Sequence, residues 1–176
     1  MDRLPLIDLR HGSEHVAREV GEACRAHGFF YVVGHGIDPA LGPGLEALSH
    51  RFFALPEETK RRFAMPLGGR AWRGWFPLGG ELTSGRPDWK EGLYLGNELD
   101  ADHPRVRAGM PLHGPNLLPG DDVLPGFRAT IAEWMAAVTA LGHRVMAAIA
   151  RSLDLPDDYF ARRYTADPLI LFRIFL

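Results

Sequence analysis

The sequence predicts a mixed α/β protein. Three observations point that way: a strand, helix, strand pattern near the start, one long amphipathic helical period from Pro125 to Leu153, and a terminal run "LILFRIFL" that reads as a strand. At 176 residues the chain suffices for one domain or for about half of a larger enzyme. Apolar residues make up 46% and charged residues 24%, the composition of an ordinary globular protein. A net charge of −2 offers no general field for nucleic acid or an anionic membrane, so neither is an expected partner. Cys24 is the only cysteine, which excludes an internal disulfide and a cysteine zinc site. The N-terminus lacks an apolar signal core, and no apolar run approaches the roughly 18 residues of a membrane span. A cytoplasmic protein is the expectation.

In chain order, "LPLIDL" (Leu4 to Leu9) reads as a short strand, and Ser13 supplies a hydroxyl cap for a helix with Glu14 in its first turn. Val16, Val20, Ala23, Cys24 and His27 recur at helical spacing, which places Cys24 on an apolar face. After Gly28, "FFYVVG" is a continuous apolar run, as in a strand covered on both faces. Asp38 and Pro39 start a helix that Gly42-Pro43-Gly44 should interrupt. Glu57 and Glu58, followed by Lys60, Arg61 and Arg62, match the dipole of a short helix. Met65 to Gly126 is glycine- and proline-rich and reads mostly as loop, with "KEGLYLG" as a strand inside it. "LPDDYFARRY" predicts a further short helix before Asp167-Pro168 turns the chain into the last strand.

The usual chemical signatures are largely missing. None of the eight histidines forms H-x-D, H-x-E or H-E-x-x-H, and although His11 and His15 could share a face, Gly12 and Ser13 separate them at a helix start. No metal ligand and no catalytic residue is assigned. Gly34-His35-Gly36 after a strand invites a nucleotide reading, but Pro39 stands where the third glycine belongs, and a tight turn closed by His35 is the better account. Gly69 to Gly74 has phosphate-loop spacing with Trp75 and Phe76 in place of the required Lys and hydroxyl. No serine lies in G-x-S-x-G. Arg70, Arg73 and Arg86 alternate with Trp72, Trp75 and Trp89, a pattern that in a slightly acidic chain is better suited to lining a small-molecule pocket or tucking under a loop than to nucleic acid.

Taken together, "LPLIDL", "ACRAHGFFYVVGHGI", "RFFALPEETKRRFA", "RGWFPLGGE", "GRPDWKEGLYLG", "GHRVMAAIARSLDLPDDYF" and "LFRIFL" resemble, in order, the isopenicillin N synthase-like Fe(II)/2-oxoglutarate-dependent dioxygenases. The resemblance implies an N-terminal helical and strand region, residues 1–168, that packs on a double-stranded β-helix, or jelly roll. Residues 169–176 would be the first strand of that barrel, which is truncated beyond it. For the parent enzyme it implies Fe(II), 2-oxoglutarate and a small-molecule substrate; the H-x-D and distal histidine that hold iron in the family are absent from this sequence. Neither cofactor is therefore expected to bind this chain stably, and the chain alone is expected to be inactive. By the same resemblance, Arg73, Trp75 and Phe76 reach over the substrate mouth, and Arg173 lies on the strand whose inward side chains face the 2-oxo acid or the substrate; the plain alternatives are a loop cation for Arg73 and a surface or structural partner for Arg173. Asp88, Lys90 and Glu91 order a loop. The strands near Leu4, Phe29, Lys90 and Leu169 should form one edge of a sheet, with Ile170, Phe172, Ile174 and Phe175 exposed until the missing barrel or a partner covers them. The rival readings are a non-catalytic interaction module that adds a partner strand at that edge, and a nucleotide-binding protein using Gly34 and Gly36.

Overall fold

The structure, a computed structural model, describes residues 3–176, the side chain of Thr83 excepted. The chain divides into two compact units, one made of the residues up to Asp38 with Met135–Pro168, the other of Pro39–Trp134 with Leu169–Leu176. In the first unit β1 (Leu6–Asp8) pairs in parallel with β2 (Tyr31–Val33), with Leu6 opposite Tyr31 and Asp8 opposite Val33. Parallel neighbours need a crossover, and α1 (Ser13–Ala26) supplies it. Its buried stripe, Val16, Ala17, Val20 and Ala23, closes on Ile7 together with Leu9, Phe30, Ala148 and Ile149.

Several local expectations change here. Cys24 is exposed although its helical angle falls between those of Val20 and Ala17; it lies in the last turn of α1, where Arg25 and Ala26 are exposed as well. Ser13 is the first helical residue rather than its cap; Gly12 takes the cap position, and the Ser13 hydroxyl instead accepts a hydrogen bond from Arg151 at 2.9 Å. Strand β2 is not covered on both faces within the described chain: Phe29 and Tyr31 are exposed. His35 behaves as a turn residue, its Nδ1 accepting from the Ile37 N–H at 3.1 Å between Gly34 and Gly36, which have φ of 62° and 81°.

The long helix is α5 (Phe127–Ser152), 26 residues in extent. Its first turns belong to the second unit and the rest to the first. Beyond it, the predicted helix at Pro156 is a π-helical turn, Ala161–Thr165. The segment opens with a tight bond from the Tyr159 N–H to the Pro156 carbonyl, then winds more widely as the rings of Tyr159, Phe160 and Tyr164 pack at 5.3–6.4 Å.

In the second unit α2 (Leu41–Phe53) runs straight through Gly42-Pro43-Gly44. Pro43 is the third helical residue, where the backbone N–H has no partner inside a helix, so proline removes no bond. Phe52 is buried and stacks on Phe127 at 5.4 Å. After α3 (Glu57–Arg61) and a 3-10 turn (Met65–Ala71), the glycine-rich region contains more structure than its composition predicts. It holds β3 (Gly74–Phe76), a small hairpin of β4 (Leu82–Thr83) and β5 (Arg86–Pro87), β6 (Gly92–Gly96) and a single helical turn, α4 (Pro104–Arg107). Strand β7 (Leu171–Phe175) completes an antiparallel sheet in the order β3-β6-β7.

The expected single sheet edge is thus two separate sheets, β1-β2 and β3-β6-β7. The exposed residues at β7 also differ from expectation. Leu171 and Phe175 are 48% and 41% exposed, whereas Ile170, Phe172 and Ile174 are half-buried. Side chains alternate along a strand, so the register that puts Phe172 and Ile174 inward turns their neighbours out.

Candidate functional site

Three of the four residues singled out by sequence lie in or beside β3 and one lies on β7. Pairing places Gly74, Tyr94 and Arg173 in one row across the sheet and Phe76, Gly92 and Phe175 in the next, all on one face. Trp75 falls in a row with Leu93 and Ile174 on the opposite face. Gly92 is glycine because the rings of Phe76 and Phe175 close over it; a methyl group there would meet the Phe76 ring at 2.4 Å.

On the first face the Arg173 guanidinium is exposed, lies 3.3 Å from the Tyr94 hydroxyl and stacks over the rings of Tyr94 and Phe175. Tyr94 in turn donates to Glu81, and Lys90 pairs with Glu81 at 3.0 Å and with Asp88 at 2.8 Å. The Tyr94 hydrogen bond, assisted by Lys90, holds the Glu81 carboxyl below the usual carboxylate range. Burial and the Glu81 contact push Tyr94 up, and the Tyr94 contact raises Arg173. Glu81 therefore adds stability above the ordinary carboxylate pKa of about 4.3 and loses it as pH falls through its depressed value. Tyr94 adds stability below about pH 10 and loses it above. In Tyr94→Phe, the deficit in urea midpoint relative to the parent is expected to be larger at pH 7 than at pH 3; an equal deficit at both would mean that the Tyr94-Glu81 bond carries no linkage.

Arg73 is 1% exposed. Its Nη2 donates to the Leu112 carbonyl at 2.9 Å, while Nε and Nη1 have no acceptor among the described residues. The guanidinium occupies the space above Gly96, where a methyl group would stand 1.9 Å from Nη2. Burial lowers its pKa from the ordinary guanidinium value, partly offset by Glu98. Trp75 and Phe76 are also buried, yet both line a concavity of about 400 Å³ with Trp72, Met65 and Pro77. Trp75 is held by Glu91, whose Oε1 accepts from the indole N–H at 2.5 Å and from Lys60. Lys60, itself buried, also donates to the Phe53 carbonyl at 2.7 Å. Asp88, Lys90 and Glu91 thus order the loop, as expected.

Sequence reasoning passed over one cluster. His11, His15 and Glu19 bring one donor atom each to within 4.8 Å of one another. Their spacing of four residues was visible, but the intervening Gly12 and Ser13 obscured it because the helix begins immediately after Gly12. The Gly34-His35-Gly36 turn, by contrast, offers no phosphate cradle. The Asp8 carboxylate lies where a Gly34 side chain would be, at 2.2 Å, and its hydrogen bonds from Arg10 hold it well below the usual carboxylate range. An ionised acid there repels phosphate.

Chemically, the face with Arg173 can hold a carboxylate, since a guanidinium donates to both its oxygens. It does not suit Fe(II). Strands β3, β6 and β7 contain no histidine, and Glu81 is already engaged by Tyr94 and Lys90. No helix among the described residues is long and apolar enough to cross a membrane.

The family model described as "non-haem dioxygenase in morphine synthesis N-terminal" matches residues 4–121. A Dictyostelium discoideum protein named "Probable iron/ascorbate oxidoreductase" is 49% identical over 189 residues, covering 99% of this chain and 52% of that protein. A 1-aminocyclopropane-1-carboxylate oxidase of Dictyostelium mucoroides is 37% identical, covering 97% of this chain and 48% of its own length. Among solved structures, a 2OG-Fe(II) oxygenase family protein from Caulobacter crescentus superimposes with a TM-score of 0.82 at 27% identity, over 99% of this chain and 56% of that one. A full-length Neurospora crassa protein in complex with alpha-KG gives a TM-score of 0.72 at 27% identity, over 90% and 50%. This chain thus spans about half the length of the curated relatives it matches. Its fold is the mixed α/β fold of those oxygenases. With a family model over most of its length and such relatives end to end, the chain belongs to the non-haem Fe(II)/2-oxoglutarate-dependent dioxygenases.

Proposed function

We propose that these residues are the N-terminal part of an Fe(II)/2-oxoglutarate-dependent oxidoreductase acting on a small molecule. Residues 1–168 would form the region that packs on a jelly roll, and residues 169–176 its first strand. The observation that carries the reading is β7: an edge strand that turns Arg173 and Phe175 outward beside Tyr94, in a chain matching half of its relatives. Arg173 would face the 2-oxo acid carboxylate. Trp75 and Phe76 would wall the substrate side through the concavity they share, whereas Arg73, buried over Gly96 and outside that lining, would have to be uncovered for its unanswered N–H groups to meet an anionic group of the substrate.

Iron would depend on residues other than these, since the sequence contains no H-x-D pair and the sheet has no imidazole. The 176 residues alone are accordingly proposed to be inactive. Purified chain supplied with Fe(II), ascorbate and 2-oxoglutarate should consume no more 2-oxoglutarate than the protein-free mixture. Turnover that scales with protein concentration would overturn the proposal. The free edge and exposed Leu171 favour a second reading, a module that adds a partner strand at β7. Protection of the β7 amides from hydrogen exchange by a bound partner, with no oxygenase half required, would favour that reading instead.

A further inference from the structure

The cluster on α1 belongs to no part of the site above. His15 Nε2 lies 3.2 Å from Glu19 Oε1, and the His11 ring stands edge-on to the His15 ring with centroids 4.9 Å apart. Residues four apart in a helix are neighbours on one side, which aligns His15 with Glu19, and His11 joins them from the residue before the cap. A second observation is independent of that spacing. The Glu19 side chain is 33% exposed, but its Oε2 atom is itself covered and has no hydrogen-bond partner among the described residues. A buried carboxylate oxygen without a partner is costly, and a cation is one chemical answer to it.

We propose that His11, His15 and Glu19 form a site for a divalent transition metal of the zinc class. Two imidazole nitrogens and one carboxylate oxygen are a recurrent zinc donor set, leaving a fourth position for water. All three residues lie in the first unit, on and just before one helix, whereas the residues proposed for the 2-oxo acid and substrate lie in the second.

The hydrogen bonding shows what uptake requires. Arg18 Nη2 is 2.7 Å from His15 Nδ1, and a guanidinium only donates, so Nδ1 accepts and Nε2 carries the proton toward Glu19. To bind metal through Nε2, the ring moves that proton to Nδ1 and Arg18 turns away, with no net proton lost from His15. The Arg18 contact is exposed, so little opposes its release. The positive end of the helix also disfavours a cation, but that effect is small beside three coordinate bonds.

The test is calorimetric titration of the chelator-treated 176-residue protein with Zn(II) alone, together with the visible spectrum of the Co(II) form. One metal per chain and an intense tetrahedral Co(II) spectrum are expected. His15→Ala and Glu19→Gln should each weaken binding by roughly tenfold or more, and His113→Ala should leave it unchanged. Circular dichroism checks that the variants keep their helix. Absence of stoichiometric Zn(II) binding to the parent protein, or binding unaltered by both changes, would overturn the proposal.

Discussion

Gly74→Ala is expected to destabilise the chain by about 4 kcal/mol, from roughly 1–3 kcal/mol of backbone strain and a similar amount of overpacking. Gly74 has φ of 120°, a region closed to other residues, and a methyl group there would sit 2.5 Å from the Phe63 carbonyl oxygen and 3.0 Å from the Met65 nitrogen. Both obstacles are backbone, so no rotamer change relieves them. Gly36→Ala provides the contrast: its φ is 81° but nothing lies within 4 Å of the added methyl group. It should cost only about 1–2 kcal/mol. Urea unfolding followed by tryptophan fluorescence, with unchanged slopes, measures both. Equal losses would mean that close approach to Phe63 contributes nothing. The result bears on function because Gly74 turns the chain between Arg73 and Trp75.

The second large effect is at Glu91. Glu91→Ala should cost about 3–5 kcal/mol, because it leaves Lys60 as a buried charge with the Phe53 carbonyl and the Trp75 ring face beside it but no counter-ion. It also strips the Trp75 indole of its acceptor. Adding Lys60→Met removes the stranded charge, and the double variant should be more stable than Glu91→Ala alone. A double variant as unstable as the sum of its single changes would show that the two side chains do not act as a pair. Glu91 also exchanges backbone hydrogen bonds with Leu176, at 3.1 and 2.9 Å. That contact is made by the backbone and should survive the side-chain change, so the loss can be assigned to Lys60 and Trp75.

Much of the fold was legible because its signals are local. The strand, helix, strand unit, the long amphipathic α5 and the apolar run of β6 all declare themselves within a few turns of chain. Pro43 misled only because proline was weighed without its position; in the first turn it costs no hydrogen bond. Strand β3 is three residues long, too short to show a period, and its existence depends on pairing with Gly92 to Tyr94. The candidate site divides in the same way. Its residue types were visible in "RGWF" and "LFRIFL", but Arg73 proved buried over Gly96 and Trp75 proved to face away from Arg173.

By itself, then, the sequence determined the strand, helix, strand unit, the long α5, the collinear family pattern and the absence of an H-x-D pair, since each is written in neighbouring residues. Only the tertiary structure decided that β1-β2 and β3-β6-β7 are separate sheets, which side of β7 turns outward, and that His11, His15 and Glu19 converge. The physical reason is that a side chain's neighbours are set by long-range pairing and helix phase. A shift of one residue in strand register exchanges the two faces of β7, and the start of α1 determines whether three donors spaced four residues apart meet.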